Sequence, residues 1–327
     1  ITSNIRDSNI VAISAGYDHS LFLDENGNVY GCGYTYYGQL GLDDTDNRYI
    51  PTKITSNIGD SNIVAISAGD NHSLFLDENG NVYSCGYNSY GQLGMGEDDT
   101  TDRYIPERIT SNIGDSNIVA ISAGSSHSLF LDENGNVYSC GNGGNGRLGM
   151  GVNDTTTRYI PERITSNIGD SNIVAISAGT NHSLFLDENG NVYACGINTS
   201  GQLGMGENNN STKYIPTIIN TNNIGNSNIV AINAGFYHSL FLDDNGNVYS
   251  CGYNDFGRLG RTSTTANQKI PTIINTDNIG DLNIVAISGG GYHSLFITAD
   301  VITDSSPVSL GGGGDSFENG SLPGKSL

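Results

Sequence analysis

Short apolar runs alternate with polar, glycine-rich connections along the whole chain, and the alternation recurs about every fifty-five residues. In the second copy, Ile63 to Ser67 (I-V-A-I-S) is an apolar run between polar and glycine residues, which predicts a buried strand. A second run, Ser73 to Leu76, follows the short connection Ala68-Gly69-Asp70-Asn71-His72 and completes a hairpin. Asp77-Glu78-Asn79-Gly80-Asn81 then precedes Val82-Tyr83-Ser84-Cys85. Asn-Gly between two apolar runs predicts a type I′ hairpin turn, because both central residues of such a turn need positive φ. A longer connection containing Gly91-Gln92-Leu93-Gly94 leads to Tyr104-Ile105-Pro106-Glu107-Arg108-Ile109, where proline marks an outer edge strand. A polar link, 110–117, opens the next copy. Four antiparallel strands per unit, with no helical period anywhere, describe a blade of an all-β propeller; the rungs of a linear β-solenoid are much shorter than this repeat.

The repetition is strict. His19, His72, His127, His182, His238 and His293 are all the histidines, and Cys32, Cys85, Cys140, Cys195 and Cys251 are all the cysteines. Pro51, Pro106, Pro161, Pro216 and Pro271 lie 55 residues apart. The repeats run over about 10–62, 63–117, 118–172, 173–228 and 229–283, with a degenerate sixth over 284–310. In the sixth, Asn-Gly, the cysteine strand and G-x-L-G are missing after Phe296; Val301-Ile302-Thr303 and Pro307-Val308-Ser309-Leu310 are its candidate third and fourth strands. Residues 1–5 repeat Ile54 to Ile58 and are placed to close the ring against the last blade. Six blades is the expected count, with seven, parts being lost, as the alternative. Residues 311–327 read as a Gly-rich tail, and the start at Ile1 without methionine reads as a processed chain or a fragment.

Composition narrows the function. Forty-five glycines and no tryptophan suit an all-β chain with many tight turns. A net charge of −21 with scattered Lys and Arg argues against nucleic acid, whose binding rests on neutralising phosphates, and favours a partner with a basic surface. No apolar stretch reaches the roughly 20 residues of a membrane span. Equivalent cysteines on neighbouring sheets stand about 10 Å apart, too far for disulfides. Buried free thiols lean the compartment toward a reducing one, the cytoplasm. N-x-[ST] sequons at Asn153, Asn198 and Asn209 carry little weight in so Asn-rich a chain.

I13-S-A-G-Y-D-H-S-L-F-L23 and its copies, with C-G-x4-G-[QR]-L-G downstream, resemble the repeat of the regulator of chromosome condensation family over residues 10 to about 298. The resemblance implies a propeller, with seven blades in the best-known members. It also implies guanine-nucleotide exchange on a small GTPase through a protruding wedge, but the copies here have nearly equal lengths and show no wedge. Light sensing in the family rests on tryptophan, which this chain lacks. Some members inhibit β-lactamases through an aromatic-rich face.

Candidate catalytic chemistry is thin. The histidines form a ring with members too far apart to share one ion at zinc bond lengths, and each reads as a half-buried ring bonding backbone near a turn. Asp24-Glu25-Asn26-Gly27-Asn28 departs from the calcium-loop order, since glycine precedes the last Asn and a strand follows. G-[QR]-L-G lacks the G-K-[ST] of a phosphate loop. Neither a metal, a cofactor nor a catalytic residue is expected; the histidines and cysteines read as scaffold.

What varies is one face. Strands alternate direction, so the first–second and third–fourth connections of every blade share a side, and there the copies diverge. The pairs before each histidine include Tyr17-Asp18, Asp70-Asn71, Phe236-Tyr237 and Gly291-Tyr292. Those after each C-G include Tyr34, Tyr36 and Tyr37, then Tyr87 and Tyr90, then Tyr253, Asp255 and Phe256. Tyrosine with small polar residues on a rigid scaffold is the composition of a binding surface. The expected function is a non-enzymatic protein-interaction propeller, with small-GTPase exchange and structural self-assembly through incomplete end blades as alternatives.

Overall fold

The computed structural model describes residues 5, 8–225, 227–261, 267–275 and 283–299. Blade 1 runs outward from the axis as Ile10–Ala15, His19–Asp24, Val29–Gly33 and Arg48–Lys53, each strand antiparallel to the one before. Four more four-stranded sheets follow, with inner strands Ile63–Ala68, Ile118–Ala123, Ile173–Ala178 and Ile229–Ala234. A sixth sheet pairs Asn283–Gly289 with Ser294–Ala299. The architecture is an all-β propeller. The candidate strands 301–303 and 307–310, the tail 311–327, and the closing role of residues 1–5, all but Ile5, lie outside the described residues.

The core sits at the junctions between blades, because alternate side chains of one strand point to opposite faces of its sheet. Leu21, Leu23, Val29 and Ile54 of blade 1 pack with Ile63, Ile66, Phe75 and Cys85 of blade 2. Leu74 and Leu76, flanking Phe75, turn the other way and pack with Ile118, Ile121 and Phe130. The G-[QR]-L-G loops of blades 1 to 4 reach forward to the outer strand of the next blade. Gly38 sits so close that an added Cβ would lie 2.6 Å from the Tyr104 Cα, at a φ of +83°. Glycine is required there on both counts. The links are tied forward too: Asn57 donates from Nδ2 to the Pro106 carbonyl at 2.8 Å.

The second–third hairpin differs from the expected type I′ turn. Gly27 has φ +74°, whereas Asn26 is not in the positive region. The Gly27 N–H closes on the Asp24 carbonyl at 3.0 Å with the left-handed glycine following, so the loop is one residue longer. The cause is Asp24. Its buried carboxylate accepts from the Asn26 and Asn28 N–H groups, the Asn28 side-chain amide and the Tyr30 hydroxyl. The acidic loop is thus a self-satisfied hairpin cap with its acceptor sites filled by its own donors.

Five junctions pack their inner strands alike, and among the described residues the sixth, from blade 6 to blade 1, is open. Ile13 is 40% exposed where its counterpart Ile66 is 1%, and Leu295 is 55% exposed where Leu240 is 0%. Tyr49 stands 94% exposed on the outer strand of blade 1. Its equivalents Tyr104 and Tyr159 are pressed by Gly38 and Gly91 of the preceding blade. No G-x-L-G follows Phe296 in the sequence.

Candidate functional site

In every complete blade the two variable connections are stitched together on one face. The Tyr34 N–H donates to the Asp18 carbonyl at 2.8 Å, as do Tyr87 to Asn71, Asn142 to Ser126, Ile197 to Asn181 and Tyr253 to Tyr237. The glycine of C-G permits this approach: Gly33 has φ +113°, and a Cβ there would lie 2.4 Å from the Asp18 carbonyl oxygen.

The structure brings the aromatic candidates together in two clusters. Tyr34, Tyr36, Tyr37, Tyr87 and Tyr90 form a chain of rings across blades 1 and 2, with Tyr37 and Tyr87 at 4.8 Å between centroids. Tyr36 and Tyr90 are its exposed members. The second cluster spans blades 5, 6 and 1. Tyr17 stacks on Phe236 at 6.0 Å, Phe236 meets Tyr237, Tyr237 meets Tyr253, and Phe256 meets Tyr292 edge-on. Phe256 is 83% exposed. Asp255 accepts the Tyr253 hydroxyl, Asp18 is exposed and Asp70 half-buried. Blades 3 and 4 place Ser125, Ser126, Thr180 and Asn181 at the matching turns, so the face is aromatic over one arc and polar over the other.

A cavity of about 490 Å³ opens on the axis of this face, lined by the first–second turns of all six blades. Tyr17, Phe236 and Tyr292 stand on its aromatic side, and Asp70, Ser125 and Thr180 on its polar side. The Ser125 hydroxyl donates to Asp70. Burial pushes the Asp70 carboxyl above the usual range, against that hydrogen bond and the Arg147 charge, while the Asp18 charge adds to the rise.

Two functional-face residues escaped the sequence reasoning: Arg147 and Arg258, which replace the glutamine of G-[QR]-L-G in blades 3 and 5. Gln39 and Gln92 turn back on their own loops, accepting from the Tyr37 and Tyr90 N–H groups. The arginines instead span to the next blade. Arg147 donates to the Thr180 carbonyl at 2.9 Å and Arg258 to the Gly291 carbonyl at 2.7 Å. The Arg258 guanidinium lies 4.9 Å and 5.0 Å from the ring centroids of Tyr253 and Tyr292, a double cation–π contact. Burial lowers both arginines, Arg147 to about 10. The signal was the Q/R alternation inside an otherwise constant motif.

The histidines point away from chemistry. His19 Nε2 lies 2.9 Å from Ser73 Oγ of the next blade, and His72–Ser128, His127–Ser183, His182–Ser239 and His238–Ser294 repeat the pair. The partner is a serine of the neighbouring blade, not the local backbone expected from the sequence. Each serine spends its proton on a carbonyl, as Ser73 does on Gln39 at 2.7 Å, so the histidine Nε2–H must be the donor. Nδ1 is buried with no partner among the described residues, so desolvation keeps the ring neutral, with its proton on Nε2. Desolvation lowers His19 and His182 to about 4, and His72 and His238 to about 3, with the charge of His19 adding to the fall at His72. His293, exposed at the open junction, has no such serine.

Cys85, Cys140, Cys195 and Cys251 are buried against the preceding blade's loop and Cys32 is half-buried; all five are free thiols. Burial raises every one of them. Among the described residues no three His, Cys, Asp or Glu side chains converge to hold a metal, and no helix is long and apolar enough to cross a membrane.

Known proteins match this arrangement along most of the chain. The ultraviolet-B receptor UVR8 of Arabidopsis thaliana is 32% identical over 290 residues, covering 88% of this chain and 63% of its own length. The probable E3 ubiquitin-protein ligase HERC6 of Homo sapiens is 30% identical, covering 95% of this chain but 29% of its own length. The chain thus spans less than two thirds of each of these relatives. Among solved structures, human WBSCR16 superposes with a TM-score of 0.78 at 23% identity, over 89% of this chain and 72% of that one. Prp20p of Saccharomyces cerevisiae gives 0.61 at 24%, over 90% and 83%; both likenesses concern the fold. Repeat profiles for the regulator of chromosome condensation match residues 10–39 and 26–76, and the RCC1-like domain profile matches residues 59–315. With the inter-blade loops, the histidine–serine pairs and the radial sheets all in place, the chain belongs to the RCC1-like domain family.

Proposed function

We propose that this propeller is a non-enzymatic interaction module that binds a protein partner through its variable face. The observation that supports it is the gathering of the divergent aromatic residues into two continuous clusters around one axial cavity. The opposite face repeats the same hairpin and link in nearly every blade. Large aromatic rings held on short, hydrogen-bonded loops offer contact area at little entropic cost. The net charge of −21 favours a basic partner surface. Prp20p, which shares the fold, binds Gsp1p and histones.

Alanine at Tyr36, Tyr37, Tyr90 and Phe256 together is the test. Loss of partner capture, with capture kept by a Glu78→Ala, Glu133→Ala variant of the opposite face, is the expected result. Capture unchanged by the fourfold substitution sinks the reading. Exchange on a small GTPase has less support, because the third–fourth connections 34–47, 87–102, 142–157 and 197–212 are alike in length and none projects as a wedge. A nucleotide-release assay with candidate GTPases is expected to show no acceleration.

A second reading, head-to-tail self-assembly, is favoured by the open junction. Ile13 on blade 1 and Leu295 on blade 6 stand at positions that the five other junctions bury, and Tyr49 is 94% exposed where Tyr104 is 40%. Mass in solution across a range of concentrations tests it: a constant monomer mass removes this reading.

A further inference from the structure

We propose that the axial cavity is a receptor for one basic side chain, arginine or lysine, presented by the partner of the variable face. The proposal rests on the reading of that face as an interaction surface and names what the partner must carry.

The cavity exists because the repeat cannot fill it. Its inner wall is the alanine and glycine of each S-A-G. At Gly69 an added Cβ would lie 2.3 Å from the Gly124 carbonyl oxygen and 2.5 Å from the His72 ring. The same contacts recur at Gly16, so a larger residue has no room in the wall and the space stays open. At about 490 Å³ it falls within the roughly 300–1,000 Å³ of ligand pockets.

Its chemistry is that of a cation site. Tyr17 and Phe236, nearly parallel at 9° and 6.0 Å apart, give one wall of aromatic rings, whose negative faces attract cations, while Tyr292 beside them already holds Arg258 over one face and is not counted toward it. Asp18 and Asp70 also line the cavity, and among the described residues neither is ion-paired. Arg147, the cation that acts on Asp70, directs two of its donors to the Gly144 and Thr180 carbonyls and makes no ion pair with Asp70. Asp70 keeps a single hydroxyl donor, Ser125, and sits in a partly desolvated place beside the like charge of Asp18. An incoming guanidinium or ammonium would relieve that repulsion while its alkyl stem lies along the rings.

The experiment is a heteronuclear NMR titration of the whole chain with N-acetyl-arginine methylamide, its neutral isostere N-acetyl-citrulline methylamide, and spermidine. The arginine compound should bind in about the millimolar range expected of so small a ligand, moving the amides of Asp70, Ser125 and Phe236. Citrulline should bind about tenfold more weakly. An Asp18→Asn, Asp70→Asn variant should erase that difference, and Phe236→Leu, which keeps the charges, should weaken arginine alone. Equal binding of citrulline, shifts centred elsewhere, an unaffected double variant, or no saturable binding overturns the proposal. Tighter binding of spermidine than of arginine also overturns it, in favour of a free polyamine. Because Tyr36, Tyr37, Tyr90 and Phe256 are not part of the cavity lining, failure here leaves the capture experiment standing, and the reverse also holds.

Discussion

His72 of blade 2 donates its Nε2 proton to Ser128 of blade 3 across 2.9 Å, and Ser128 passes its own proton to the carbonyl of Gln92 at 2.7 Å. One serine thus joins the histidine and the forward loop of one blade to the second strand of the next. Ser128→Ala leaves the buried His72 N–H unpaired, at about 1–3 kcal/mol, and leaves the Gln92 carbonyl only the weak Cys140 thiol at 3.5 Å. The expected outcome is an unfolding free energy lower by about 2–3 kcal/mol, read as a lower urea midpoint at unchanged slope. Ser20→Ala is the internal control, because Ser20 has no histidine facing it at the open junction. It should stay within about 0.5 kcal/mol of the parent. Equal losses in the two variants would sink the assignment.

Acid should unfold the protein through these rings. A histidine held neutral near 3 to 4 in the folded chain but at 6.5 when unfolded contributes its full stability above 6.5. As pH falls through 6.5 toward 4, only the unfolded chain takes up the proton, and stability drains away. At pH 5 that is on the order of 2 kcal/mol per ring before couplings, so five buried rings reach the roughly 5–15 kcal/mol of a whole domain. Asp24 and Asp243 are also lowered, since hydrogen bonds led by Asn28 and Asn247 outweigh burial. Their contribution is lost only below 3.8. Circular dichroism should therefore show unfolding between about pH 4 and 5.5. A native spectrum persisting to pH 4 contradicts the neutral-ring account.

Gly91 and Gly257 separate backbone from packing. Both are left-handed, at φ +72° and +74°, so alanine costs each about 1 kcal/mol in conformation. At Gly91 the new Cβ would also stand 2.6 Å from the Tyr159 Cα, whereas at Gly257 no atom of the described residues lies within 4 Å. Gly91→Ala should unfold at lower denaturant by about 2 kcal/mol or more beyond Gly257→Ala. Matching midpoints would mean that the forward loop is not a packing contact.

Much of this was legible because the repeat writes each element five times. Short apolar runs such as I-V-A-I-S, bounded by polar and glycine residues, marked the strands, and the variable pairs before each histidine marked the face. The partner of His19 was not legible, since Ser73 stands 54 residues away and its pairing depends on how one sheet leans on the next. The turn at Asn26-Gly27 was misjudged because the Asp24 carboxylate, gathering two backbone N–H groups, outweighed the local preference of Asn-Gly. Arg147 and Arg258 were hidden by treating Q and R as interchangeable, when only arginine is long enough to span to the neighbouring turn.

The open junction leaves a chemical mark on one cysteine. Cys85, Cys140, Cys195 and Cys251 are each 0% exposed, roofed by the forward loop of the preceding blade, with Gly41 lying over Cys85. Cys32 occupies the same strand position in blade 1, where no such loop arrives among the described residues, and it is half-buried. Partial burial raises its thiol, so reaction is slow at neutral pH and quickens as pH rises. Native protein at about pH 8.5 should take up one equivalent of maleimide, on Cys32 by peptide mapping, and five in denaturant. Labelling of Cys85 as fast as Cys32 would show that the forward loop opens freely. A silent Cys32 would show that the junction is covered in solution, and Cys32→Ser would then distinguish a covered thiol from an unreactive one by leaving the total in denaturant at four.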